Sequence, residues 1–191
     1  VKVHYSGLPY IRTVDSLKIK KEMLIFIVLT LLITSLILFL FFRSFKATFV
    51  SIIVVIVGVI WAFGSMALFD YEISILMALV PPVIIVIGIP NCIFLINKFH
   101  NEFKQHNNKT KALKRMVIKI GNITFLTNLT TASGFAAFIL TKSETLQQFG
   151  VIASLNILFI FVLSLFIIPI FFSFAKPPKK RHTRHLDKKW V

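Results

Sequence analysis

Charged residues in this chain are gathered into short clusters, and the stretches between them are long and apolar. No Asp, Glu, Lys or Arg occurs between Glu22 and Arg43, Lys46 and Asp70, or Glu72 and Lys98. The same holds between Lys119 and Lys142 and between Glu144 and Lys176. Each gap is at least about 20 residues, the length a helix needs to cross roughly 30 Å of hydrocarbon. A helix at the surface of a soluble domain would show a polar face on every turn, and these stretches do not. The pattern predicts an all-α, polytopic transmembrane helix bundle over 23–175, with spans at about 24–42, 47–69, 73–97, 121–141 and 149–174.

The segments between the spans complete the outline. Residues 1–22 are polar; Gly7 and Pro9 give them turn chemistry, and Val14 to Glu22 suits a short helix leading into the membrane. This segment is expected to be the end of an outer domain. Spans one and two are joined by the basic link Arg43-Ser44-Phe45-Lys46, and spans two and three by the acidic link Asp70-Tyr71-Glu72. In the second span, Gly58, Gly64, Ser65 and Ala67 are small enough for close helix contacts. Between spans three and four, Ala112, Leu113, Met116, Val117 and Ile120 recur at helical spacing among seven Lys and Arg residues. They predict a basic amphipathic helix at about 100–118, lying on the membrane surface or solvated as a connector. Residues 176–191 form a basic linker after Pro177-Pro178. The missing initiator Met and the lack of a signal-type n-region suggest a piece of a longer protein.

Composition sharpens the outline. Of 191 residues, 57% are hydrophobic, 15% are charged and 21 are Phe. The net charge of +15 does not point to nucleic acid, because the basic residues flank the spans and do not interleave with aromatics. Sixteen of the 22 Lys and Arg residues fall on Arg43 and Lys46, the 98–119 stretch and the tail. Alternating spans put these three segments on one side, expected to be cytoplasmic. The single cysteine, Cys92, excludes a disulfide framework and a cysteine-based zinc motif. No nucleophile–base pair, carboxylate pair, phosphate loop or metal cluster is visible, so neither enzymatic activity nor a cofactor is expected.

Polar residues inside a span need a reason, because hydrocarbon satisfies none of their hydrogen bonds. Pro81 and Pro82 predict a helix break, structural or beside a wet cavity. Asn91 follows Pro90 and is either a hydrogen-bonding contact between helices or a polar node in an ion route. The fourth span holds Asn122, Thr124, Thr127, Asn128, Thr130, Thr131 and Ser133. Thr124, Thr127, Asn128 and Thr131 are spaced i, i+3, i+4, i+7 and share one face. That face is expected to turn inward toward Asn91, the alternative being hydroxyls that bond to their own helix backbone.

Several ordered motifs resemble one exporter superfamily. They are Gly7-Leu8-Pro9-Tyr10-Ile11-Arg12, Phe41-Phe42-Arg43-Ser44-Phe45, Leu79-Val80-Pro81-Pro82 and the run from Gly88-Ile89-Pro90-Asn91-Cys92 to Phe99. Asn128-Leu129-Thr130-Thr131-Ala132-Ser133-Gly134-Phe135 and Phe149-Gly150 complete the set. Together they resemble the resistance-nodulation-division (RND) superfamily, in its MMPL and Patched-like branch, and the same helices are similar to a sterol-sensing domain. The resemblance implies helices two to six of the first half of an exporter of hydrophobic or lipid-like compounds, driven by a proton or cation gradient in a bacterial inner membrane. It implies membrane lipids, the lipid-like substrate, the second half of the transporter and a second copy of the chain as partners. Many members carry one or two Asp residues where this chain has Pro90 and Asn91. Neither residue titrates, so the resemblance leaves two readings open. In one, Pro90, Asn91, Thr127, Asn128 and Thr131 form a coupling region whose acid lies in the second half. In the other, the chain is a lipid-sensing or scaffold module that does not pump.

Overall fold

The computed structural model describes residues 8–42 and 44–175. Among these the regular structure is helical: α1 (Leu8–Phe42), α2 (Phe45–Leu68), α3 (Val80–His106), α4 (Lys109–Ala136) and α5 (Glu144–Phe174). Short 3-10 turns, Met77–Leu79 and Ala137–Leu140, precede α3 and follow α4. All five helices are long and apolar enough to cross a bilayer, so the expected all-α bundle is the observed one. The basic tail 176–191 and the first seven residues lie outside the described residues.

Chain reversals are set by a few residues whose backbone preferences stop one helix and start the next. At the end of α2, Asp70 adopts φ 52°, and the Tyr71 and Asp70 amides donate to the carbonyls of Met66 and Ala67. This paired closure satisfies two carbonyls that would otherwise be orphaned. At the end of α3, Asn107 adopts φ 49° and donates to Phe103 O at 2.9 Å. Asn is one of the few side chains that tolerates this left-handed region. Asn108 then caps α4, its Oδ1 accepting from the Lys111 amide at 3.0 Å.

These boundaries correct two expectations. The basic stretch at about 100–118 is not one surface helix. It is the last turns of α3 and the first turns of α4, divided at Asn107-Asn108. Its apolar periodicity was real, but a tight Asn-Asn reversal interrupts it without Gly or Pro. The third helix also begins later than residue 73. Residues 69–76 are irregular, and Pro81 and Pro82 sit in the first turn of α3. There a missing backbone N–H costs nothing, because the first amides of a helix have no intrahelical partner. The proline pair therefore marks where the 3-10 turn becomes α-helix, and not a break part-way along a span.

Helix α3 is central and touches all four others. Of its most apolar window 56% is buried, against 11% for α1. The α1 residues Leu24, Leu32, Leu36 and Leu40 face outward, as expected where acyl chains are the solvent. At the centre, Ile160 of α5 sits in a notch made by Gly58 of α2 and Gly88 of α3. A Cβ at these positions would lie 2.9 Å and 2.4 Å from the Ile160 Cδ1, so glycine is what lets the three helices meet. Of the small residues expected in helix contacts, Gly58 and Ser65 are buried on this face, whereas Gly64 and Ala67 are exposed. Gly58 and Ser65 are seven residues apart and share a face; the other two point elsewhere around the helix.

Candidate functional site

The most specific polar contact inside the bundle joins α3 to α4. Asn91 Nδ2 donates to Asn128 Oδ1 at 3.0 Å, and Asn128 Nδ2 donates back to Asn91 Oδ1 at 2.9 Å. Asn128 Nδ2 also donates to the Thr124 carbonyl at 2.6 Å. Both side chains are buried. Each amide offers an acceptor and a two-proton donor, so the two close a reciprocal ring in which neither carbonyl oxygen is orphaned. The pairing of Asn91 with the inward face of the fourth span is as the sequence predicted.

The rest of the predicted site does not join this ring. Pro90 is exposed, about 100° around α3 from Asn91. Its ring removes the amide that would bond to the Val86 carbonyl. Thr127 is exposed and donates to the Ile123 carbonyl at 3.1 Å. Thr131 is half-buried and donates to the Thr127 carbonyl at 2.9 Å. Both hydroxyls are therefore satisfied by their own helix, the alternative weighed for the stripe. Only Thr124 and Asn128 of the four face inward. Four residues at i, i+3, i+4, i+7 cover a broad arc, and α4 buries just part of it.

A second buried polar contact escaped the sequence reading. Asn156 of α5 donates to Ser65 Oγ of α2 at 2.9 Å and to its own Ile152 carbonyl at 2.8 Å. Ser65 Oγ in turn donates to the Ala62 carbonyl at 2.8 Å. The Asn156 Oδ1 atom is buried and meets no hydrogen-bond donor among the described residues. A lone amide midway along an uncharged span was the signal that would have found it.

The adjoining ends of α3 and α4 are held by a third cluster. Glu102 is buried. Its carboxylate pairs with Lys98 at 3.0 Å and Arg115 at 3.2 Å, and lies 3.6 Å from His106 Nε2. Arg115 also contacts His106. The i, i+4 spacing of Lys98, Glu102 and His106 announces this pairing, although the sequence reading took the stretch as one basic amphipathic helix and singled out no ion pair in it. Nearby, Lys109 Nζ donates to the carbonyls of Ser173 and Ala175, the latter at 2.8 Å. A cation at these terminal carbonyls of α5 ties it to the start of α4.

Against this geometry the comparison with known families is decisive, because the model of the MMPL family matches residues 2–190. The chain belongs to the MMPL family. As an MMPL protein it is a multi-pass membrane protein, and the resemblance read from its ordered motifs holds at the level of the family. A curated relative from Methanocaldococcus jannaschii, whose name assigns it provisionally to a membrane and states no activity, is 28% identical over 133 residues. That alignment covers 70% of this MMPL chain and 34% of the relative, so the matched part is about a third of the relative's length.

Proposed function

We propose that this MMPL chain is half of the membrane domain of an RND-type secondary exporter, acting on hydrophobic or lipid-like compounds and driven by a proton or cation gradient. In this reading it works in a bacterial inner membrane beside a second half of the same transporter, without making or breaking covalent bonds. Its basic segments face the cytoplasm. The observation that carries the reading is the match of the MMPL family over residues 2–190; the reciprocal Asn91–Asn128 ring occupies the part of α3 where the resemblance puts the family's proton-relaying acids. An amide pair does not titrate. It holds α3 against α4 through two hydrogen bonds, and a helix shift driven from an acid in the second half would have to open both.

Reconstitution of the full-length protein in liposomes, with a fluorescent lipid-like substrate, tests this. Transport should require a gradient. Asn91→Leu should weaken the link between gradient and flux while substrate still binds. Flux that persists after both proton and sodium gradients are collapsed would overturn it. The non-titrating Asn91 favours a second reading, a lipid-sensing or scaffold module; the same assay identifies it by substrate binding with no flux under any gradient.

A further inference from the structure

On the outer side of α4 and α5, Val117, Ile118, Gly121, Asn122 and Phe125 face Phe161 and Leu165 across a groove of about 350 Å³. Its walls are apolar except for the Asn122 amide. Gly121 forms part of its floor: a Cβ there would lie 3.4 Å from Leu165 Cδ1. From Val117 to Phe125 the groove follows about 12 Å of helix rise. One turn below it on the same face stands Lys114, at i−4 from Ile118 and i−7 from Gly121, with Lys111 a further turn below. Both lysines are exposed. The one acidic residue between Lys98 and Lys119 is Glu102, and it is buried and paired with Lys98 and Arg115. Among the described residues the groove mouth therefore carries uncompensated positive charge directly below an apolar slot.

We propose that this groove is a binding site for one anionic phospholipid of the cytoplasmic leaflet. An acyl chain lies along Val117, Ile118, Phe125 and Phe161. The headgroup phosphate sits between Lys111 and Lys114. The charge complementarity selects an anionic lipid over an apolar helix as the occupant, because only a lipid engages the apolar slot and the two lysines below it together. The inference depends on the membrane placement of the bundle and not on transport.

Native mass spectrometry of the full chain, released from detergent with added phosphatidylglycerol or phosphatidylcholine, reads the site directly. One phosphatidylglycerol should be retained in preference to phosphatidylcholine. Lys111→Gln and Lys114→Gln should each weaken that retention about fivefold, the effect of one basic side chain at an anionic surface. Lys119→Gln, about 8 Å further along α4 than Lys114 and around the helix from the groove, should change it less than about twofold on the same scale. Ile118→Trp fills the slot from an exposed position and should abolish retention. Equal retention of the two lipids would overturn the proposal. So would a Lys119→Gln effect as large as that of Lys114→Gln, which marks diffuse attraction. Retention of a second protein copy with no lipid, or an Ile118→Trp variant that binds normally, would also overturn it.

Discussion

Two amide-containing contacts hold this bundle together at different depths, and they are built differently. Asn91 and Asn128 satisfy each other in both directions. Asn156 donates twice but leaves its side-chain oxygen without a donor among the described residues. The first is a closed lock between neighbouring helices α3 and α4. The second is a one-way tether from α5 to α2, with spare accepting capacity at a buried oxygen. The difference shows that a buried Asn is not by itself a strong contact: what counts is whether the partner can return the bond. Removing one half of a closed pair strands the other half, whereas removing an already incomplete group relieves part of its own desolvation cost.

Substitutions test that distinction, and the largest effect is expected at the closed pair. Asn128→Leu leaves Asn91 buried without its partner and should destabilise the bundle by about 2 kcal/mol, read from unfolding in mixed detergent micelles. The double variant Asn91→Leu/Asn128→Leu should cost less than the sum of the singles by about 1 kcal/mol, the coupling of groups in direct contact. Additive costs would mean that the ring contributes nothing as a unit. At the open tether, Asn156→Leu should cost under about 1 kcal/mol and raises stability if the stranded oxygen dominates. A loss as large as that of Asn128→Leu would erase the contrast. Smallest of all, Thr127→Val and Thr131→Val should shift stability by no more than about 0.5 kcal/mol, because each hydroxyl bonds only within α4.

The same contrast shows how much could be read from the sequence. The five spans were legible because a charge-free apolar run of this length is too long for an ordinary buried helix and matches the thickness of a bilayer. The Asn91–Asn128 pairing was legible because Asn91 follows Pro90 inside an apolar span and Asn128 lies on the polar stripe of the next one. Asn156 is likewise an amide inside an apolar span, but it has no stripe of polar residues to draw attention to it. Thr127 and Thr131 were over-read, since threonine in a helix satisfies itself and its spacing says little about direction. The Asn107-Asn108 reversal was missed because two amides, and not Gly or Pro, make the turn. Their left-handed and capping roles emerge only when the two helices they join are seen to be antiparallel neighbours. Glu102 read as a surface charge because burial depends on how α4 folds back over α3, a tertiary fact.

The notch around Ile160 has a mechanical corollary. A side chain seated against two glycines rests on main chain, which cannot change rotamer to absorb a misfit. The spacing of α2, α3 and α5 is therefore gauged by the bulk of a single residue. Trimming position 160 to Ala would let three helices draw inward together, and enlarging it to Phe would wedge all three apart, so one locus in α5 tunes the calibre of the whole bundle.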